Sequence, residues 1–469
     1  MSKAETKTRA RTLNMTSGSP TMLLIKFALP MLIGGIFQQV YNLADSVIVG
    51  RMIGSQALAS IGATSSVTFL FFALCNGISS GGGIITSQSF GQGSDTAVKK
   101  SIANTAYVMM TLPTVVGITA FILSRPLLTL LGTPEEIMAD SLGYTRLMCL
   151  GIVFVSGYNF SASMLRALGD SRTPLYFLIF SCCINAGMDV LFVGPLHMGV
   201  LGAGLATIIA QLLSAIACLA FALRTNPYFR ISREELRIDF KVIKRIVRLG
   251  VPLSLQFSLI AISCMALQRV VNSFGPVAVA AFTATSRIEQ MIHQPYQTMS
   301  TSLSTFCGQN YGAGRNKRVV EGYHRGLIMM AVFTLVMVPV IRHFGDNIMS
   351  IFVKDSAEVI AMGGQALRIS AMFYIFLGTI YVVRGILNGL GDASFALLNG
   401  IVEVIGRFTV PVLLTTVAGV GVWGIWWSVG VVWFLSGFTA WLRYLSYRKK
   451  IGLVRTDRSC LEKAEPCVI

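Results

Sequence analysis

Ser87-Gln88-Ser89-Phe90-Gly91-Gln92-Gly93 returns as Gly308-Gln309-Asn310-Tyr311-Gly312-Ala313-Gly314, 221 residues further along the chain. Both runs hold a glutamine, an aromatic residue and two glycines in one register. Ala63-Thr64-Ser65 recurs as Ala284-Thr285-Ser286 at the same spacing, while Leu168-Gly169-Asp170 and Leu390-Gly391-Asp392, like Pro30 and Pro252, lie 222 apart. Matches that keep one offset mark an internal repeat.

What lies between the motifs decides the class of fold. Of 469 residues, 54% are hydrophobic and 13% charged, against about 25% charged in a soluble domain. Mean hydropathy is +0.67. This composition excludes a disordered, collagenous or disulfide-stapled chain and argues against a soluble enzyme. Twelve apolar segments follow one another: 24–50, 56–84, 98–123, 137–161, 173–195, 199–223, 245–271, 277–305, 322–345, 359–387, 394–418 and 421–445. A helix needs about 20 apolar residues to cross a bilayer, and lipid tolerates only helices or closed barrels. Six spans per copy give both copies the same orientation, a parallel repeat about an axis along the membrane normal. The expectation is an all-α membrane protein of 12 transmembrane helices, with two parallel six-helix lobes around a central cavity. The parts are a tail (1–21), the N-lobe (22–223), a basic linker (224–244), the C-lobe (245–447) and a second tail (448–469). The first tail has no cleavage signature.

The net charge of +17 belongs to topology. Counted by loop with the N-terminus inside, 29 Lys and Arg fall on the cytoplasmic side, Arg384 among them, and 4 on the other. That split obeys the positive-inside rule and sets both termini in the cytoplasm of a plasma (inner) membrane protein. Nucleic acid is not an expected partner; the lipid bilayer is. The nine cysteines show no C-x-x-C spacing and the four histidines lie far apart, so no structural metal site is expected. The enzyme motifs H-E-x-x-H and G-x-S-x-G are absent, and no enzyme is expected. No filter-like fourfold repeat suggests a channel.

Acids inside spans are costly and are functional candidates by default. Asp45, in span one, lies about 9 Å from its outer end, and Asp189, in span five, about 8 Å from its own. The two carboxylates therefore share a depth. Tyr41 stands four residues before Asp45 and Asn185 four before Asp189, each on the acid's helix face. Thr207 in span six lies within about two turns of the outer surface. Burial and like charge favour a proton on at least one carboxyl, and the same oxygens suit Na⁺, a hard cation. The competing reading makes each acid a helix-end residue, with Arg51 available to Asp45. Glu403 has Arg407 one turn on, which suggests a structural pair within one helix. Glu289 lies about 18 Å into span eight, and either faces the cavity or pairs with an arginine such as Arg269. Pro30 and Pro252 open the first span of each half, where proline breaks a backbone bond and bends the helix.

Twelve spans in a six-plus-six repeat, Tyr41-Asn42-Leu43-Ala44-Asp45, the paired Gln-x-x-Gly-x-Gly loops and the two Leu-Gly-Asp runs together resemble the MATE (multidrug and toxic compound extrusion) family. The likeness covers about 22–447. It implies a V-shaped pair of lobes and an antiporter that exports organic, cationic, amphipathic compounds by alternating access in exchange for H⁺ or Na⁺, with no other cofactor. It places cation coupling on Asp45, Asn185, Asp189 and Thr207, supported by Tyr41 and a hinge at Pro30. A second branch of the family carries acids on spans seven and ten. Here span seven offers Gln256 and Gln268, and mid-span ten has no acid, so Glu289, Gln256, Glu403 and Arg407 stand as secondary candidates. Partners are small organic molecules, and the protein is expected to work as a monomer. The rival readings are a lipid-linked oligosaccharide flippase, for which Arg146, Arg269, Arg287, Arg368 and Arg407 would serve an anionic carrier, and a narrow-specificity metabolite exporter.

Overall fold

The computed structural model describes residues 12–353, 356–417 and 419–450, and among them the chain is helical with no strand. The N-lobe holds α1 (Pro20–Met52), α2 (Ser55–Gly91), α3 (Asp95–Ile122), the short α4 (Ser124–Leu130), α5 (Glu135–Ala167), α6 (Arg172–Val193) and α7 (Gly199–Thr225). The C-lobe holds α8 (Phe240–Asn272), α9 (Pro276–Gly312), α10 (Asn316–Phe352), α11 (Ala357–Ala371), α12 (Tyr374–Leu390), α13 (Ala393–Val412) and α14 (Gly424–Lys450).

Among the described residues ten helices are long and apolar enough to cross a membrane, and eleven spans result when α11 and α12 count as one bent by 52°. The remaining expected span is α9. It has the length, at 37 residues, but Arg287, Glu289, Gln290, His293, Gln294 and Gln297 interrupt its apolar course. Helix α1 passes through Pro30 without a break.

Each lobe has its own core. Phe71, Ile102, Met109, Ile152 and Met164 anchor the first; Tyr296, Phe306, Tyr374, Leu387 and Trp426 anchor the second. The lobes also exchange helix ends. Leu24 and Phe27 of α1 join the C-lobe core, while Ile246, Leu249 and Leu253 of α8 join the N-lobe core.

The repeated motifs meet at the face that carries the N-terminal segment and the linker. Gln88 Nε2 donates to the carbonyl of Gly389 at 2.8 Å, and Gln309 Nε2 donates to that of Ala167 at 3.0 Å. Each glutamine thus caps a carbonyl just ahead of the other lobe's Leu-Gly-Asp run, where a helix leaves its last C=O groups unpaired. Only glycine permits this approach. A Cβ on Gly91 would lie 1.9 Å from the carbonyl oxygen of Gln309, and one on Gly312 would lie 2.0 Å from that of Gln88.

The remaining acceptor of each glutamine is also used. Arg245 Nη2 donates to Gln88 Oε1 at 2.7 Å, and the backbone N–H of Met15 donates to Gln309 Oε1 at 2.9 Å. Residues 12–19, a polar tail by sequence, therefore lie across the junction. Asn310 and Arg318 both donate to the Met15 carbonyl, Leu13 N donates to the Gly169 carbonyl at 3.4 Å, and the Met15 side chain is fully buried. The linker is fastened to α3 by Tyr107 Oη donating to the Leu236 carbonyl at 2.7 Å and by a Lys99–Glu235 ion pair at 3.3 Å.

Valine at Gly91 or Gly312 should push the lobes apart at this face. The expected cost to the closed arrangement is about 1–3 kcal/mol for overpacking. Spin labels at Thr96 and Lys317 should report a longer inter-lobe distance in either variant. Unchanged distances would mean that this close approach does not hold the lobes together.

Candidate functional site

The N-lobe site forms where α1 packs on α6. Tyr41 and Asp45 share one face of α1 at i, i+4, as Asn185 and Asp189 do on α6. Asp189 is fully buried and Asn185 nearly so. Asp45 and Asp189 lie near enough to act on one another's charge, with the phenols of Tyr41 and Tyr144 close by. Two carboxylates have no proton to offer each other, so the contact is favourable only with a proton or a cation between them. Neither Asp189 oxygen receives a hydrogen bond from the described residues, and Asn185 Nδ2 finds no acceptor. Buried oxygens without donors are expensive, and a small cation or a proton is what this donor set fits.

Of the residues expected here, the structure brings together Tyr41, Asp45 and Asp189, with Asn185 one turn away. Thr207 is half-buried and gives its hydroxyl proton to the Ala203 carbonyl of its own helix at 3.1 Å. Pro30 lies apart, four turns and about 22 Å along α1 from Asp45, beside a second cavity of about 100 Å³ with Arg166 and Tyr158. Tyr144 on α5 was not singled out by sequence, because no spacing ties α5 to α1. Its signal is only an aromatic hydroxyl in an apolar run.

The C-lobe encloses a cavity of about 360 Å³ lined in part by Glu289, His293, Arg384, Glu403, Arg407 and Trp433. The expected pairing of Glu403 with Arg407 gives way to another. Glu403 Oε1 binds Arg384 Nη2 of α12 at 2.8 Å, with both side chains about nine-tenths buried. Arg384 Nη2 also donates to Asn399 Oδ1 at 2.6 Å, and Ser436 Oγ donates to Glu403 Oε1 at 3.2 Å. This network outweighs a solvent-type i, i+4 pair because Glu403 is buried there with an arginine and a hydroxyl both donating to one of its oxygens. Arg384, counted with the cytoplasmic loops by sequence, therefore belongs to the cavity. Arg407 Nη1 reaches Cys264 Sγ at 2.7 Å and Ser263 Oγ at 3.4 Å instead.

Glu289 faces this cavity, and the arginine near it is Arg407 rather than Arg269. Gln256 is not in the lining. It is buried against Gly400, where α8 meets α13, and its Nε2 has no partner among the described residues. His293 was passed over as a lone histidine, although it lies four residues from Glu289 on the same face of α9.

Known proteins place this architecture. The family model described as MatE matches the chain twice, over residues 30–191 and 252–412, so the two halves answer to one pattern. The probable multidrug resistance protein YpnP of Bacillus subtilis is 30% identical over 95% of this chain and 99% of its own. The multidrug export protein MepA of Staphylococcus aureus is 21% identical over 89% of this chain and 92% of its own. A solved MATE family transporter of the MOP superfamily, in an outward-facing conformation, superposes with a TM-score of 0.88 at 21% identity, covering 94% of this chain and 98% of that one. At that identity the likeness concerns the fold, but the double family match and the full-length relative go further: this chain belongs to the MatE family.

Proposed function

We propose that the protein is a secondary-active multidrug efflux antiporter, which exports organic, cationic and amphipathic compounds in exchange for H⁺ or Na⁺. The observation that carries the reading is the neighbouring pair Asp45 and Asp189, set in an apolar lobe, with no donor among the described residues on either oxygen of Asp189. Support for the transported class comes from relatives named for multidrug resistance and export.

The proposed cycle uses the two lobes as bodies. A proton or cation entering from the far face neutralises the acids, draws α1 towards α6 and releases the organic cargo. Return requires the seal at the basic face to part, by breaking the bonds from Gln88 to Gly389 and from Gln309 to Ala167. In this reading the basic face is cytoplasmic, the protein works as a monomer in the inner membrane, and no side chain acts as a catalyst.

The flippase alternative needs arginines gathered on an anionic lipid carrier. The in-span arginines are dispersed instead: Arg368 pairs with Asp346 at 2.7 Å, and Arg146 Nε donates to Ser124 Oγ at 3.2 Å. The two arginines in the C-lobe cavity are matched there by two acids.

Asp45→Asn and Asp189→Asn should each abolish drug-driven cation counterflow in proteoliposomes while the protein remains folded. Transport at the wild-type rate in both variants would remove the site from the mechanism. Separately, a pH gradient alone or a sodium gradient alone should drive dye uptake into inverted vesicles. If neither gradient drives it, the antiport reading fails.

A further inference from the structure

The C-lobe cavity carries two charges that the protein leaves uncommitted. Arg384 and Glu403 neutralise one another within it. Glu289 and Arg407 remain, one of each sign, and neither takes part in an ion pair within 4.0 Å among the described residues. Glu289 Oε1 and Arg407 Nε are buried with no hydrogen-bond partner among the described residues. The groups Arg407 does touch, the Cys264 thiol and the Ser263 hydroxyl, are neutral. Around them stand Phe282, Tyr381 and Trp433.

We propose that this cavity binds a zwitterionic amphiphile, with its ammonium on Glu289, its carboxylate on Arg407 and its apolar body against Phe282, Tyr381 and Trp433. Charge balance decides the class. A lipophilic cation would satisfy Glu289 and leave Arg407 with only Glu403, already committed to Arg384, as a counter-charge, and an anion would satisfy Arg407 and leave Glu289 without a partner. Leaving one buried charge unpaired is strongly unfavourable. A ligand bearing both charges completes both, and a guanidinium holds a carboxylate through two parallel bonds that a hydroxyl or thiol cannot supply. The volume, about 360 Å³, lies in the small-molecule range. The Trp433 indole, which packs on His293 one turn from Glu289, also attracts an ammonium group and so reinforces the Glu289 end. The proposal deepens the efflux reading by naming a substrate class, and rests on that reading for transport but not for binding.

The test is equilibrium binding to the full chain, purified in detergent, followed by dansyl fluorescence. Three probes share one apolar body: Nε-dansyl-lysine (zwitterion), its methyl ester (cation) and its Nα-acetyl derivative (anion). The wild type should bind the zwitterion at least tenfold more tightly than either of the others. Arg407→Gln should abolish the preference over the ester, and Glu289→Gln the preference over the acetyl derivative. If either variant fails to fold, Arg407→Lys and Glu289→Asp keep the charges, and each should retain a reduced preference for the zwitterion. Equal binding of the three probes to the wild type, or preferences untouched by these substitutions, would overturn the proposal. Ion-driven export of cationic dyes alongside equal binding of the three probes would do the same, leaving the efflux reading in place. Selective zwitterion binding in a protein that transports nothing would support this site and count against efflux.

Discussion

The backbone contact between the two lobes is the constraint on which the rest depends. At the basic face, Gly91 and Gly312 let the ends of α2 and α9 approach until each meets the other's backbone, and Gln88 and Gln309 satisfy carbonyls across the gap. The choice of polar groups for this seal has a consequence. An apolar seal would expose its area to water on opening and would cost in proportion. A hydrogen bond exchanged for water is worth only about 0.5–1.5 kcal/mol net. Two such bonds, with their supporting partners Arg245 and Met15, hold the lobes in register yet open at little cost. Behind them each lobe has its own packed core. Rigid bodies joined by a cheap, specific seal are what alternating access requires.

The exchange of helix ends adds to this. The start of α1 packs into the C-lobe core, and the start of α8 packs into the N-lobe core. A displacement of α1 near Asp45 is therefore passed along a continuous helix to residues that belong to the opposite lobe. Helix α1 runs unbroken through Pro30, which lacks the N–H of a normal turn, so this coupling element has one weak place along its length.

What could be read from sequence followed the terms that are local or periodic. The repeat was legible because identical motifs recur at a fixed offset, and the shared depth of Asp45 and Asp189 was legible because helical rise is constant. The function of the twin glutamines was not, since each acts on a carbonyl of the other half. Rotation of helices about their axes was equally hidden. Glu403 has Arg407 at the favoured spacing, but α12 turns Arg384 towards it and supplies a buried network. Tyr144 joined the acids and Gln256 left the candidates for the same reason. Helix α9 was expected as a span from its place in the repeat; it forms a helix of 37 residues, but its polar residues take it below the apolarity of the others.

Duplication has kept the scaffold and changed the charges. At the offset of 222 that relates Pro30 to Pro252, Asn185 corresponds to Arg407, Asp45 to Leu267 and Asp189 to Pro411. The second lobe thus has neither acid of the first and carries an arginine where the first has an amide. Glu289 and Glu403 correspond to no acid in the first half, since Thr68 and Ser181 stand 221 and 222 residues earlier. A pair of like charges is incomplete without a small positive ion, whatever its size or shape. A cavity of mixed sign carries no such net demand, and it discriminates by where a ligand's charges lie and by the aromatic walls between them. In the proposed cycle, symmetry in the backbone lets the lobes rock against one another, while asymmetry in charge keeps them from competing for one ligand. If both halves had kept the acidic pair, the small cation would satisfy each lobe alone, and nothing in the second would be left to recognise an organic compound.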